Sequence, residues 1–219
     1  MINCLIVDES KKWFFVHIPK NGGTSFVDKY KGINNSLRES RNLSRKEIKF
    51  NEIHNYSCYF QEKYPELLEY TPVCLVRNPW ARCLSLYTFN LSNCIHKKNF
   101  GKEWSIGVHS RLIREGFKKA WSKGGFFQDE DNMNNGILHN PDRCWKENDP
   151  QSNWLNENTK YFKLETELDE FYDFVGLPKD QHISNATKHY DYRLYYDEEL
   201  KNEIAQLFKE DIERFGYTF

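Results

Sequence analysis

The hydrophobic pattern starts with a short apolar run that leads into a glycine-rich turn. Residues 13–16 are all apolar, which is typical of a strand buried on both faces. A proline and a lysine come next, followed by the pair Gly22 and Gly23 and then by hydroxyl residues. From 24 to 30 the sequence predicts a helix, which Gly32 ends. This part of the chain therefore predicts a strand, a tight turn and a helix.

The same order of elements recurs at a second apolar run. Residues 73–76 predict another buried strand. Asn78 is a good helix cap and Pro79 a good first helical residue, so a helix should follow directly. Apolar residues then recur at helical spacing, namely Trp80, Leu84, Tyr87 and Leu91.

Weaker patterns fill the intervals around these two units. Residues 1–12 predict a short strand or an arm, and residues 33–52 are polar enough for a surface connection. A helix is predicted over 61–70, with an interruption at Pro65. Residues 92–150 predict a loop-rich insertion, and long loops in a compact domain are usually functional or mobile.

Regular patterns return after this insertion. Residues 161–164 predict a strand, and Thr166 with Asp169 is typical of a capping box that opens a helix ended by Gly176. Asp197 can cap a last helix. The apolar stripe of that helix comprises Leu200, Ile204, Leu207, Phe208, Ile212 and Phe215, and the helix ends at Gly216.

Strands that alternate with helices predict an α/β fold with a mainly parallel sheet. In such sheets ligands bind at the carboxyl ends of the strands. Both special turns, 17–25 and 77–79, follow predicted strands, so we expect them to line one crevice. A chain of 219 residues fits a single domain over 1–219.

Composition narrows the classes of partner. Lys and Arg number 31 against 32 Asp and Glu, a net charge of −1, so we expect no nucleic-acid partner and only a local anion site. No apolar run is long enough to cross a bilayer, and the first residues do not have the pattern of a signal peptide. We therefore expect a soluble, cytoplasmic protein without a membrane anchor. The six cysteines form no C-x-x-C pair, so reduced thiols and no metal site are expected.

The turn after the first strand has the chemistry of an anion site. Gly22 and Gly23 can adopt backbone angles closed to other residues and let the main chain approach a ligand closely. Their N–H groups and those of Thr24 and Ser25 lie at a helix start, which carries partial positive charge. Lys20 adds a full charge, so a phosphate, a sulfate or both are predicted. A structural Gly-Gly turn after a core strand is the alternative.

The order His-Ile-Pro-Lys-Asn-Gly-Gly-Thr-Ser at 17–25 resembles the 5′-phosphosulfate loop of sulfotransferases that use 3′-phosphoadenosine 5′-phosphosulfate (PAPS). It is most similar to the branch with carbohydrate 2-O- and 6-O-sulfotransferases and their bacterial relatives. Residues 76–85 resemble the family pattern V-R-[ND]-P-[YWF]-x-R-x-x-S, in which Arg77 and Ser85 would hold the 3′-phosphate. By itself, this segment also suits a capped helix with a surface Arg and a buried Ser, and Arg82 could pair with an acidic neighbour or support the loop. Weaker similarities lie at 149–155, 162–168, 182–185 and 207–217.

This resemblance implies a P-loop-like three-layer sandwich, with a mainly parallel central sheet flanked by helices. It implies in-line transfer of a sulfuryl group from PAPS to an acceptor hydroxyl, for which we favour a carbohydrate. The long loops of 92–150, which do not match the family, are the candidate region for recognising the acceptor. The residues implied to bind the donor are Lys20, Asn21, Gly22, Gly23, Thr24, Ser25, Arg77 and Ser85. Lys20 would also stabilise the leaving oxygen. Asn21 stands where the family usually has Thr or a similar residue.

The acceptor hydroxyl must lose its proton, and a histidine is an apt base at neutral pH. The resembling branch has its catalytic histidine between the two PAPS loops, and His54 is the only histidine between Lys20 and Arg77. His54 is therefore the predicted base, although a surface or core-edge histidine also fits this position. Glu52 is a weaker candidate, and His17 is expected to be structural.

Two other functions fit parts of this pattern. One is a non-catalytic module that binds 3′,5′-adenosine bisphosphate (PAP) or a carbohydrate. The other is a nucleotide-dependent kinase of the P-loop type. The usual P-loop reads G-x-x-x-x-G-K-[ST], with its Lys after the glycines, whereas here Lys20 precedes them.

Overall fold

The structure is a computed structural model that describes residues 4–32, 43–47, 55–97, 149–179 and 190–219. These residues belong to two compact units, which are described separately. The first unit comprises the described residues up to 77 and those from 151 to 179; the second comprises 78–97, 149–150 and 190–219. Within the described ranges, no helix combines the length and the apolar character needed to cross a membrane. A single functional domain over 1–219 stays a prediction.

The first unit contains a mixed β-sheet with the strand order β3-β1-β2-β4-β5. Its strands are β1 (Cys4–Asp8), β2 (Trp13–Phe15), β3 (Leu43–Glu47), β4 (Thr71–Val76) and β5 (Lys160–Lys163). β4 runs parallel to both β2 and β5, whereas β1 is antiparallel to β2 and β3. The expected mainly parallel sheet is thus parallel only across β2, β4 and β5. The reason is that β1 and β2 are joined as a hairpin and not by a crossover helix.

Strand β3 lies in a segment for which the sequence predicts only a surface connection. Its sequence, Leu-Ser-Arg-Lys-Glu, has no alternation of apolar and polar residues. It pairs with β1 along the whole length of both strands, from Cys4 opposite Glu47 to Asp8 opposite Leu43. Backbone hydrogen bonding places this strand at the edge of the sheet, and edge strands need no apolar pattern.

The α-helices of the described residues, in chain order, are α1 (Gly23–Gly32), α2 (Ser57–Lys63), α3 (Pro79–Lys97), α4 (Leu168–Val175), α5 (Glu198–Leu207) and α6 (Lys209–Phe215). Short 3₁₀ helices cover Pro65–Glu69, Gln151–Trp154 and Tyr192–Tyr195. The predicted helix over 61–70 is therefore two elements. Helix α2 ends before Pro65, because proline has no N–H to continue the helical hydrogen bonds, and a 3₁₀ helix begins there.

Successive side chains of β2 point to opposite faces of the sheet. Phe15 packs against Phe26 of α1, with ring centroids 4.4 Å apart, and against Phe171 of α4, at 6.0 Å. The intervening residue, Phe14, points the other way and meets Phe60 of α2 at 6.2 Å. Helices of the first unit therefore pack on both faces of the sheet, and all five of these aromatic side chains are buried.

The second unit is built around the start of α3. The Asn78 side chain accepts hydrogen bonds from the backbone N–H groups of Trp80, at 3.1 Å, and Ala81, at 3.3 Å. The predicted cap at Asn78 and helix start at Pro79 are confirmed. The apolar face of α3 enters a cluster with the last helices, whose buried members are Trp80, Cys83, Leu84, Tyr87, Tyr195, Tyr196, Leu200, Ile204 and Phe208.

The later helix signals have mixed outcomes. Asp197 caps α5 as predicted, since its carboxylate accepts from the backbone N–H of Leu200 at 2.9 Å. The capping box at Thr166 and Asp169 is wrong. The N-cap of α4 is Glu167, which makes no side-chain cap bond, because its carboxylate accepts instead from the backbone N–H of Lys163 at 2.8 Å.

The stripe predicted for one last helix is divided between two. Helix α5 ends at Leu207 and α6 begins at Lys209, so the helical periodicity is interrupted at Phe208. Leu207 consequently leaves the apolar face and is 51% exposed. The predicted stops at Gly176 and Gly216 are confirmed, since both glycines adopt left-handed backbone angles.

Candidate functional site

Three parallel strands of the first unit end at one edge of the sheet. After β2 the chain continues through Val16, whose N–H donates to the carbonyl of Val73 at 2.8 Å. After β5 it continues through Leu164, whose N–H donates to the carbonyl of Val76 at 2.8 Å. The segments that follow β2, β4 and β5 therefore start side by side. This is the edge at which ligands bind in sheets of this type.

The turn after β2 has an alternating backbone. Lys20 and Gly22 have positive φ angles of 68° and 79°, whereas Asn21 and Gly23 do not. Alternating backbone angles of opposite hand turn successive N–H groups toward one side, which forms a concave site for anions. Helix α1 follows directly, and its first hydrogen bond runs from the N–H of Phe26 to the carbonyl of Gly22. The first amides of a helix have no acceptor within it, so they add further donors to the same site.

Both glycines of the turn are packed closely. A Cβ atom at Gly22 would lie 2.9 Å from the Cδ1 atom of Leu164, and one at Gly23 would overlap the imidazole ring of His17. His17 is only 8% exposed and its ring lies beside that of Phe15, with centroids 6.0 Å apart, so it has little room to move. The structural role expected for His17 agrees with this position. The turn thus depends on Gly22 for its backbone angle and on Gly23 for close packing.

Lys20 connects the turn to the second motif. Its positive φ costs about 1–2 kcal/mol for a residue with a side chain. The guanidinium of Arg77 donates through Nη1 to the carbonyl oxygen of Lys20, at 3.0 Å. The two residues are 57 positions apart in sequence. Within the first unit, the structure therefore joins the lysine turn to the arginine that follows β4.

A pair of buried amide side chains lies behind this contact. Asn21 donates through Nδ2 to the carbonyl of Leu75 at 2.8 Å and to Gln151 Oε1 at 2.6 Å. Gln151 Oε1 also accepts from the backbone N–H of Arg77 at 2.8 Å, and its Nε2 donates to the Arg77 carbonyl at 2.8 Å. The exposed fractions of Asn21 and Gln151 are 1% and 0%.

These contacts add to the sequence-based assignments. The sequence predicts that Asn21 binds the donor, but its side chain is used inside the protein, which leaves its backbone for that role. Gln151 is absent from the predicted site residues. Its only sequence signal is the weak similarity of the segment Pro150-Gln151 and the aromatic residue after it to a family motif.

The other predicted residues have varied positions. Thr24 and Ser25 lie in the first turn of α1 and are half-buried. Ser85 belongs to α3 of the second unit and is buried. Arg82 is also buried there and donates to the carbonyl of Asp149 at 2.9 Å, which is the loop-supporting role considered for it. The proposed base His54 lies outside the described residues, as do Glu52 and the segments 98–148 and 182–185.

The cysteines of the described residues differ in their exposure to solvent. Cys58 and Cys83 are free thiols, and Cys58 is exposed whereas Cys83 is buried. Burial raises the pKa of the Cys83 thiol far above its usual range, and the charge of Arg82 offsets this only in part. A buried thiol with such a pKa is a poor nucleophile. In the described ranges, no group of three or more His, Cys, Asp or Glu side chains is arranged to hold a metal ion.

Comparison of the chain with protein-family models finds none that matches. No curated protein and no solved structure matches it either. The function of this chain is therefore inferred from the two sequence motifs and from the geometry of the turn, of Arg77 and of the amide pair.

Proposed function

We propose that this chain is a PAPS-dependent sulfotransferase that transfers the sulfuryl group to an acceptor hydroxyl, for which we favour a carbohydrate. The observation that carries the proposal is the hydrogen bond from Arg77 to the carbonyl of Lys20. It joins two segments that separately resemble the two phosphate-binding loops of these enzymes. Helices on both faces of a partly parallel sheet are compatible with the proposed P-loop-like three-layer sandwich.

The turn supplies the donor-binding groups at one end of the nucleotide. The backbone amides of residues 22–25 would bind the 5′-phosphosulfate, because they lie at the start of α1 and after an alternating backbone. Lys20 would neutralise charge on the oxygen that leaves sulfur. The unfavourable backbone angle of Lys20 supports this role, since such strain persists mainly where a particular side chain is needed.

Arg77 would supply the groups for the other end. A guanidinium presents several N–H donors that match phosphate oxygens in pairs. Arg77 lies beside the turn within the first unit, so one nucleotide with a 5′- and a 3′-phosphate could reach both. Ser85 would add a hydroxyl to the 3′-phosphate, and this part of the proposal depends on the family pattern alone. Recognition of a 3′-phosphate would select PAPS over ATP, which has none.

PAPS supplies an activated sulfuryl group, whose bond to the bridging phosphate oxygen breaks as a bond to the acceptor oxygen forms. The protein has three tasks in this step. The turn and Arg77 hold the donor in position, Lys20 stabilises the leaving oxygen, and His54 takes the acceptor proton. Positioning and charge stabilisation supply most of the acceleration in comparable phosphoryl transfers. A correctly placed base adds roughly 10²–10⁴-fold.

The test combines nucleotide binding with transfer of labelled sulfate. We expect PAP to bind much more tightly than ATP in calorimetry, and sulfate to pass from labelled PAPS to members of a carbohydrate library. Lys20→Asn removes the ammonium while asparagine tolerates the positive φ. This variant should therefore be at least as stable as the wild type and yet lose turnover. His54→Ala should lose turnover and retain PAP binding.

Each contrary result would change either the function or the role of one residue. Tight PAP binding without transfer to any acceptor would favour the non-catalytic binding module. Preference for ATP over PAP would favour the kinase. Normal turnover in Lys20→Asn would remove the lysine from the mechanism, and normal turnover in His54→Ala would remove the base.

A further inference from the structure

We propose that Gln151 is a positioning residue that holds the lysine turn and Arg77 in one fixed arrangement, so that two phosphates of one nucleotide are bound together. The inference deepens the proposed function and rests on it. Gln151 itself would touch neither the donor nor the acceptor. Its effect would pass through the backbone of Arg77 and the side chain of Asn21.

The hydrogen bonds close into a ring. Gln151 holds the backbone of Arg77 by two bonds of 2.8 Å, one to its N–H and one to its carbonyl. The same Gln151 oxygen accepts from Asn21 at 2.6 Å. Asn21 is bonded covalently to Lys20, whose carbonyl accepts from the guanidinium of Arg77. Each of the two loops is therefore fixed to the other both through Gln151 and directly.

Only an amide of this length makes all the Gln151 contacts. Its oxygen faces two donors and its nitrogen faces a carbonyl, so the surrounding groups determine its orientation. A glutamate would place a second acceptor against the Arg77 carbonyl, and a methionine would make none of the three bonds. Gln151 is fully buried, so water has no easy route to replace these partners.

The ring also explains how the turn keeps an unfavourable conformation. A positive φ at a residue such as Lys20 persists only where surrounding contacts fix it. Asn21, the next residue, uses both hydrogens of its amide nitrogen, one on Leu75 of β4 and one on Gln151. With the ring intact, the turn is organised before a ligand binds. Loss of the ring would transfer the cost of that ordering to the binding step.

The test compares Gln151→Met with a matched change, Gln61→Met. Gln61 is a half-buried glutamine of the first unit. It donates to the carbonyl of Leu67 and accepts from Asn156, away from the ring. Calorimetry would measure two probes, PAP and adenosine 5′-monophosphate, which lacks the 3′-phosphate. The ratio of the two affinities reports how well the second phosphate is bound when the first is in place.

We expect Gln151→Met to lower the ratio of PAP to adenosine monophosphate affinity by about tenfold, since a misplaced Arg77 would lose roughly one hydrogen bond to the charged 3′-phosphate, which corresponds to on the order of tenfold in affinity. Gln61→Met should leave the ratio unchanged even where it lowers thermal stability. Asn21→Ala removes one link only, so a smaller decrease is expected. If Gln151→Met does not fold, Asn21→Ala decides the matter.

Hydrogen exchange of the nucleotide-free protein separates failure of this inference from failure of the proposed function. Gln151→Met should speed exchange at the amides of 20–25 and 77, and Gln61→Met should not. If exchange responds so but wild-type protein does not bind PAP, the ring is real and the sulfotransferase assignment is wrong. An unchanged affinity ratio in a folded Gln151→Met variant of a PAP-binding wild type overturns the positioning role.

Discussion

Replacement of Gly23 by alanine tests the packing of the candidate site without touching a charged group. The new Cβ atom would overlap the buried imidazole of His17. Gly23 has no positive φ, so the substitution adds no backbone strain, and the whole penalty is steric. The matched control is Gly32→Ala in the last position of the same helix, where an added Cβ meets nothing within 4 Å.

The comparison of these two variants isolates the steric cost of the methyl group added at Gly23. Both substitutions gain helix propensity, up to about 1 kcal/mol each. Only Gly23→Ala also overpacks its surroundings, at a cost of typically about 1–3 kcal/mol. The difference between the two variants should equal that steric cost. For a chain of this size it corresponds to roughly 2–12 °C in Tm, with Gly23→Ala the lower.

Thermal unfolding followed by circular dichroism measures both variants, and a rescue confirms the cause. His17→Ala removes the ring that the new methyl group would meet. The double variant should therefore be more stable than the sum of the two single changes predicts, because the two residues are in direct contact. The packing argument would be refuted by equal Tm values for Gly23→Ala and Gly32→Ala, or by a double variant in which the effects of Gly23→Ala and His17→Ala simply add.

Two further predictions concern the second unit and one exposed thiol. Burial raises the pKa of the Tyr196 phenol well above 10, which is its value in the unfolded state. As the pH rises, the unfolded state therefore loses the phenol proton first, so the stability of the fold should be full below pH 10 and fall above it. Tyr196→Phe should flatten this fall of stability with pH, as measured by urea titrations, and an unchanged slope above pH 10 would contradict the prediction. The substitution also removes the 2.8 Å bond to the buried carbonyl of Trp80, so at pH 7 it should lower the free energy of unfolding by about 1–3 kcal/mol. Iodoacetamide at pH 8 should label exposed Cys58 in the native protein and label buried Cys83 only after unfolding, as mapped by mass spectrometry; equal labelling rates would show that the Cys83 site opens readily.

Local signals in the sequence were enough to predict the elements that carry the two motifs. An apolar run, a glycine turn and a helix start at Gly23 need only neighbouring residues to specify them. Asn78 and Pro79 likewise encode the start of α3 within four residues. The relative direction of the strands was harder to predict from the sequence, because it depends on which strands pair. That pairing is determined by contacts between residues that are far apart in the chain.

Elements held by the backbone alone escaped prediction. Strand β3 pairs with β1 through main-chain groups, which every residue has, so its polar sequence carries no signal. The false capping box at Thr166 shows the converse error. The motif was present, but Glu167 formed a bond to the backbone of Lys163 that no local rule anticipates. Capping patterns therefore indicate a helix start more reliably than they indicate which side chain caps it.

The candidate site combines both kinds of information. Lys20 and the glycines are recognisable because an anion site needs positive charge and open backbone, and these are properties of residue types. The bond between Asn21 and Gln151 spans 130 positions in sequence. No local pattern around either residue predicts that the two side chains pair. Yet the strained angle at Lys20 requires such a support. A positive φ at a non-glycine residue beside a predicted anion site is thus a reason to search the buried amides around it, since those residues decide whether the turn is organised before its ligand arrives.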